Sequence, residues 1–215
     1  MIETLGPSSI PLAVKLGYSA FMAVLLPVYL RKYGPTNFLY FCDVALLLAL
    51  VGIWPEDPLL LSIATVGILI PQAFWLLSFL VHLGGGHLTG MTDYMFESQR
   101  SRFLRGLSLF HGWLPLLLLY LLARTGYDPR ALPIWTVIAT VLVLVCYRWM
   151  PPPSPAGSRG MAPVNINYVY GLNNETPQRW MSQRTWLIVV LLGFPLLLYL
   201  PAHVLLLYFV PRAMP

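Results

Sequence analysis

The chain has 215 residues, 58% of them hydrophobic and only 10% charged, with a formal net charge of +5. Soluble domains carry about 25% charged residues, so a chain this apolar takes lipid as its solvent, and a water-soluble globule is excluded. The positive charge lies in scattered loop arginines rather than on one face, which argues against nucleic acid as a partner. Two cysteines do not make a disulfide framework.

The opening MIETLGPSSIPLAVK lacks the basic flank and small-residue cleavage site of a signal peptide, so the first hydrophobic run is expected to be retained. Six stretches come near the roughly 20 apolar residues that a spanning helix needs. They are 12–30, 37–54, 58–83, 107–123, 131–149 and 185–210. Backbone groups in lipid must pair within their own segment. The expectation is therefore an all-α polytopic membrane protein, one bundle of six transmembrane helices across residues 1–215. Nothing alternates as a barrel strand does. Pro27, Pro71, Pro115, Pro195 and Pro201 fall inside these spans and predict kinks.

Charge orients the loops. Arg31, Lys32, Arg100, Arg102, Arg105, Arg148, Arg159, Arg179 and Arg184 fall on one side, against Lys15, Arg124, Arg130 and Arg212 on the other. The richer side is expected to be cytoplasmic, which puts both termini and the turn WPEDP outside. Two loops on the cytoplasmic side are long, 84–106 and 150–184. The first begins HLGGGHLTG and ends in ESQRSRFLRG, which reads as an interfacial amphipathic helix on anionic headgroups. The second passes from a Pro/Ser/Gly linker into NINYVYGLNNETPQRW, too rich in Asn and Tyr for a plain linker, and is expected to be ordered against the helix ends.

Several side chains are out of place in hydrocarbon, and such groups normally face a bundle interior. Cys42 lies five residues into the second span, about 7–8 Å deep, and His111 four residues into the fourth, about 6 Å deep. Asp43 and His82 share this level with the loop asparagines Asn165, Asn167, Asn173 and Asn174. Cys42 reads either as a small apolar filler or as a nucleophile. Asp43 either caps its helix, pairs with a loop arginine or orients an imidazole. His82 reads as interfacial and His203 as structural, while His111 admits both a functional and a packing role. Gln72, Trp75, Phe79 and His82 form a stripe that reads as a helix–helix face. Thiol and imidazole at one depth suit acyl transfer, with the asparagines as donors to a developing oxyanion. A metal or haem at His82, His87 and His111 is a rival use, but their spacing is not that of a ligand set; no metal and no cofactor are expected.

Three stretches carry a family resemblance: NFLYFCDVALLLAL, SLFHGWLPLLLLYLLARTGYDP and PVNINYVYGLNNETP. Together they resemble the YwaF-type bacterial integral membrane proteins and their eukaryotic relatives, the transmembrane protein 164 acyltransferases, over about a quarter of the chain. More distantly, the chain is similar to the androgen-induced hydrolases of fatty acid esters. The resemblance implies a six-helix fold in a bacterial inner membrane, with Cys42 as nucleophile and His111 as base in lipid acyl transfer or ester hydrolysis. Its implied partners are membrane lipids, with a phospholipid as acyl donor. The chain departs from the family in its longer connection between the third and fourth spans, and in Asp43 where the eukaryotic members have His. The alternative function is a non-catalytic one, a subunit docking other membrane proteins or a small-molecule carrier.

Overall fold

The computed structural model describes residues 10–98, 100–155 and 161–213. The first nine residues, on which the retained-leader expectation partly rests, and Arg159 in the Pro/Ser/Gly stretch lie outside them. The described residues fold into helices without a named strand; one isolated bridge joins Tyr127 to Arg212.

Helix α1, Leu12–Lys32, buries Lys15, Tyr18, Met22, Leu25 and Tyr29. Steps of three and four residues keep these on one stripe. A 3₁₀ turn at Pro35–Leu39 leads into α2, Phe41–Ile53. Helix α3, Pro58–Leu83, starts with Asp57, whose Oδ1 accepts the N–H groups of Leu59 and Leu60 at 2.8 and 3.1 Å, and with Pro58 in the first turn. Residues 61–68 of α3 are buried on every side. A helix apolar all round belongs at the centre, and α3 packs on α2, on α5 (Phe110–Thr125) and on α6 (Ala131–Trp149). A short α4, Arg102–Ser108, runs into α5. After α6 the chain makes its Asn-rich loop, then α7 (Gln183–Phe194), a π-helical turn at Pro195–Tyr199 and α8 (Leu200–Phe209).

Among the described residues, five helical stretches are long and apolar enough to cross a membrane: Leu12–Lys32, Pro58–Leu83, Arg102–Thr125, Ala131–Trp149 and Gln183–Phe209. The chain is thus an all-α, multi-pass membrane protein, and the expected count of six full spans is corrected to five. The stretch 37–54 contains only the 13-residue helix α2, about 20 Å at 1.5 Å per residue. Pro35 opens a 3₁₀ turn that takes Asn37, Phe38 and Leu39 out of the helix, although Phe38 and Leu39 are as apolar as the residues of α2 itself. A second difference concerns ESQRSRFLRG. Its helical part does not lie apart as an interfacial helix. Ser101 accepts the Leu104 N–H at 3.2 Å and starts α4, so Arg102 and Arg105 belong to the first turns of a crossing stretch. Of the five prolines, Pro27, Pro71 and Pro115 lie within continuous helices, and Pro195 opens the π-helical turn.

Contacts between distant residues define two ends of the bundle. At one end the Lys15 ammonium meets Glu56 at 2.7 Å, the Asp128 N–H donates to Ser62 Oγ at 2.9 Å, and the Tyr127 N–H donates to the Pro211 carbonyl at 2.7 Å. The start of α1, the turns α2–α3 and α5–α6, and the C-terminal segment therefore share that end. At the other end Tyr29 meets Ser108, Tyr33 meets Arg100, and the Asn-rich loop meets the start of α2. The short α2 still carries the chain from one end to the other.

Candidate functional site

The second end gathers most of the polar side chains singled out in the sequence. Asp43 lies in the first turn of α2 and is 3% exposed. Its Oδ2 accepts from Asn37 Nδ2 at 3.1 Å and from the Cys42 thiol at 3.8 Å, while Oδ1 is buried with no partner. Buried polar groups are normally satisfied, so each exception asks for an explanation. Asp43 is thus tied to its own entry turn rather than to a loop arginine.

His111 sits one turn past Ser108. Its Nδ1 is 2.8 Å from the Ser108 carbonyl. A carbonyl only accepts, so Nδ1 carries the hydrogen and Nε2 keeps the lone pair. The ring stacks on Trp75, with centroids 4.9 Å apart, and lies beside Phe110. Ser108 Oγ donates to the Leu104 carbonyl at 3.2 Å and receives the Tyr29 hydroxyl at 2.9 Å. Tyr29 in turn lies within electrostatic reach of both Cys42 and Asp43. One phenol from α1 is therefore bonded to the turn that carries His111 and feels the charge of the α2 pair.

Trp75 and Tyr94 complete the surroundings. The Trp75 indole N–H and the Tyr94 hydroxyl are both buried, and the indole N–H is directed at the phenol oxygen. Tyr94 lies in the 3₁₀ turn Gly90–Met95 of the long α3–α4 connection, 6.5 Å from the His111 ring by centroids and within electrostatic reach of Cys42 and Tyr29. Burial pushes its phenol well above the ordinary value, so it stays a neutral O–H donor. Over it, the Arg100 guanidinium rests between the Tyr33 and Tyr94 rings, 5.6 and 5.3 Å from their centres, and donates to Tyr33 OH and to Glu97. Burial works against the Arg100 charge, but Tyr33 and Glu97 outweigh it and hold the group above its ordinary value.

The asparagines are positioned by backbone they serve. Asn165 and Asn167 both have positive φ, 50° and 56°, a left-handed conformation that Asn tolerates better than most residues. Asn165 Nδ2 donates to the carbonyls of Gly171 and Asn173, and its Oδ1 accepts the Tyr170 N–H. Asn167 Nδ2 donates to the Leu39 carbonyl at 2.9 Å and lies 3.8 Å from Cys146 Sγ. Asn173 accepts the N–H of Glu175 in an exposed turn, and Asn174 is exposed beside it. The loop is ordered, and Asn167 reaches α2, but the amide donors of Asn165 and Asn167 already point to backbone carbonyls or to sulfur.

The remaining histidines lie elsewhere. His87 Nε2 is 2.9 Å and His82 Nδ1 3.7 Å from Asp93 Oδ1, and the His82 ring stacks on Phe96 at 3.8 Å. These contacts fasten the glycine-rich connection to the end of α3. His203 takes the Tyr127 hydroxyl at 2.6 Å at the opposite end. No group of three or more His, Cys, Asp or Glu among the described residues is arranged to hold a metal ion.

Sequence reasoning passes over Tyr29, Asn37, Ser108 and Tyr94, and takes Trp75 for packing alone. The local signal for Ser108 is its place one turn before His111. Tyr94 has no such signal, because its position depends on how the whole 84–101 connection folds back. No family model matches the chain, and neither a curated protein nor a solved structure matches it.

Proposed function

We propose that this membrane protein is a lipid acyltransferase or lipid ester hydrolase, with Cys42 as nucleophile and His111 as base. The observation that carries the reading is the convergence of reactive and buried polar groups at one end of the bundle. The Cys42 thiol, the Asp43 Oδ1 atom, the Trp75 N–H, the Tyr94 hydroxyl and an imidazole with its lone pair on Nε2 are supplied by four separate segments. In the reaction the Cys42 proton passes to His111 Nε2, and sulfur attacks the ester carbonyl. The tetrahedral species expels the lipid alcohol, which takes the proton back. Water or a second alcohol then cleaves the thioester. The likeness of NFLYFCDV and SLFHGW to the acyltransferase family supports the same pair. The basic loop residues at this end support its placement at the cytoplasmic leaflet, with both termini outside, in a bacterial inner membrane. A phospholipid is the proposed acyl donor.

The rival reading, a non-catalytic carrier or complex subunit, rests on one contact. The Cys42 thiol donates to Asp43, which holds a buried carboxyl group as much as it prepares a nucleophile. The two readings are separated by incubating the purified protein with the p-nitrophenyl ester of an alkyne-tagged fatty acid and locating the tag by mass spectrometry. The enzyme reading expects a hydroxylamine-labile thioester on Cys42, absent in Cys42→Ala and strongly reduced in His111→Ala. Tagging that persists equally in both variants overturns it.

A further inference from the structure

We infer that the groove between α1 and α5 is a binding site for one acyl chain of a membrane lipid. Helix α1 packs on α2 and makes few contacts with α5. Between α1 and α5 lies an open cavity of about 330 Å³, lined by Val14, Gly17, Tyr18 and Phe21 of α1 and by Trp113 and Leu117 of α5. The α1 positions fall at i, i+3, i+4 and i+7 and the α5 positions at i and i+4, so each wall is one stripe along its helix. Both helices belong to membrane-crossing stretches, so the open side of the groove faces hydrocarbon. The lining is apolar, because the Tyr18 hydroxyl turns away and donates to the Leu46 carbonyl at 2.9 Å. Trp113 is held in place edge-on, with ring centroids 4.8 Å from Phe21 and 6.3 Å from Tyr18.

Dimensions select the occupant. The α1 wall runs from Val14 to Phe21, about 10 Å at 1.5 Å per residue. Spreading 330 Å³ over roughly that length leaves a cross-section of about 33 Å². A helix with its side chains is about 10–12 Å across, too wide to enter, so neither a partner helix nor a second copy fills the groove. The apolar walls offer nothing to a polar headgroup. One extended hydrocarbon chain matches both the width and the lining. Gly17 keeps the space open, since a Cβ built there meets nothing within 4 Å. The groove is separate from the proposed reactive pair: the His111 ring stacks on Trp75 of α3, whereas Trp113 meets α1. The site therefore stands whether or not Cys42 reacts.

The test places the full chain in phosphatidylcholine vesicles containing a trace of a phosphatidylcholine with a diazirine near the end of one acyl chain. Extraction into detergent strips loosely held lipid, and irradiation then fixes what remains, located by mass spectrometry. The expected result is label on the groove residues of α1 and α5, well above that on the exposed Leu197 of the π-helical turn. Gly17→Trp fills the open space and should remove the groove label, Gly17→Leu should reduce it, and Gly17→Ala should keep it. Should the Trp variant fail to fold, the Leu variant carries the comparison. Label equal on the groove and on Leu197, or groove label that persists in the filled variants, overturns the site. A groove without label in which Gly17→Cys links two copies by a disulfide also overturns it, because a second copy then covers that face.

Discussion

The Asn167 side-chain carbonyl accepts the Phe41 N–H at 3.1 Å, which makes a residue 126 positions away the N-terminal cap of α2. The Asn167 amide group donates to the Leu39 carbonyl, so both sides of the turn into α2 close on one side chain. Asn167→Ala removes a cap worth about 0.5–2 kcal/mol and strands buried backbone groups at about 1–3 kcal/mol. The expected loss is therefore roughly 2–4 kcal/mol, read as a lower midpoint of thermal unfolding in detergent. Asn167→Gly should be milder than Ala, because Gly accepts the positive φ at this position without steric penalty. An Ala variant as stable as the parent protein would remove Asn167 from this role.

That bond also marks where the sequence stops being readable. Hydropathy locates the membrane crossings because each is long, and the one it misjudges is the shortest. Phe38 and Leu39 carry the same apolar signal whether they lie in a helix or in the 3₁₀ turn before it. What shortens α2 is Pro35, together with a partner from the far loop, and no window over residues 37–54 contains Asn167. The site divides in the same way. That Cys42, Asp43 and His111 lie at one end is legible by counting residues into alternating helices. That Ser108 fixes the tautomer of His111 and that the Trp75 indole N–H meets the Tyr94 hydroxyl depends on side-chain placement across separate segments, which has no sequence period.

Gly67 in α3 lies against Trp135 of α6. A Cβ built at Gly67 overlaps the indole atoms Cε2, Cζ2 and Cδ2, and Trp135 is fully buried. The ring has no space to yield, so Gly67→Ala is expected to destabilise by about 1–3 kcal/mol, the range for overpacked cores. Trp135→Phe replaces the two fused rings of the indole by one smaller ring at the expense of a cavity. The double variant Gly67→Ala/Trp135→Phe should therefore be less destabilised than the sum of the two singles. Strict additivity in detergent unfolding would show that the helices separate at this crossing instead of clashing.

Lys15 is charged yet buried near the start of α1. Its ammonium donates to Glu56 at 2.7 Å and to the Trp54 carbonyl at 3.2 Å, tying α1 to the α2–α3 turn. Removing one member of a fully buried pair costs about 3–5 kcal/mol; this pair sits at an end of the bundle, so roughly 1–3 kcal/mol is expected for Lys15→Met. Glu56→Gln keeps an oxygen for Lys15 to donate to and should have the smaller effect. A double-mutant cycle on unfolding free energy checks the pair: coupling near zero would mean that the turn is held by its other contacts.

At the same end Asp128 accepts the Arg130 N–H and its guanidinium, with contacts of 2.7 to 3.1 Å. The hydrogen bonds from Arg130 hold the Asp128 carboxyl below its ordinary value, against the opposing effect of burial. A carboxylate whose folded pKa is depressed binds fewer protons when folded than when unfolded. Its contribution is therefore complete above the unfolded value near 3.9 and is lost as pH falls through the folded value. The Arg130 side chain is largely exposed, at 73%, so water and salt screen the pair and the effect is small. Thermal unfolding followed downward from about pH 6 should show a midpoint that falls more steeply below about pH 4 in the parent than in Asp128→Asn. Added salt should narrow that difference. Parallel curves for the two proteins through the acid range would show that the Asp128 charge makes no net contribution to holding the α5–α6 turn.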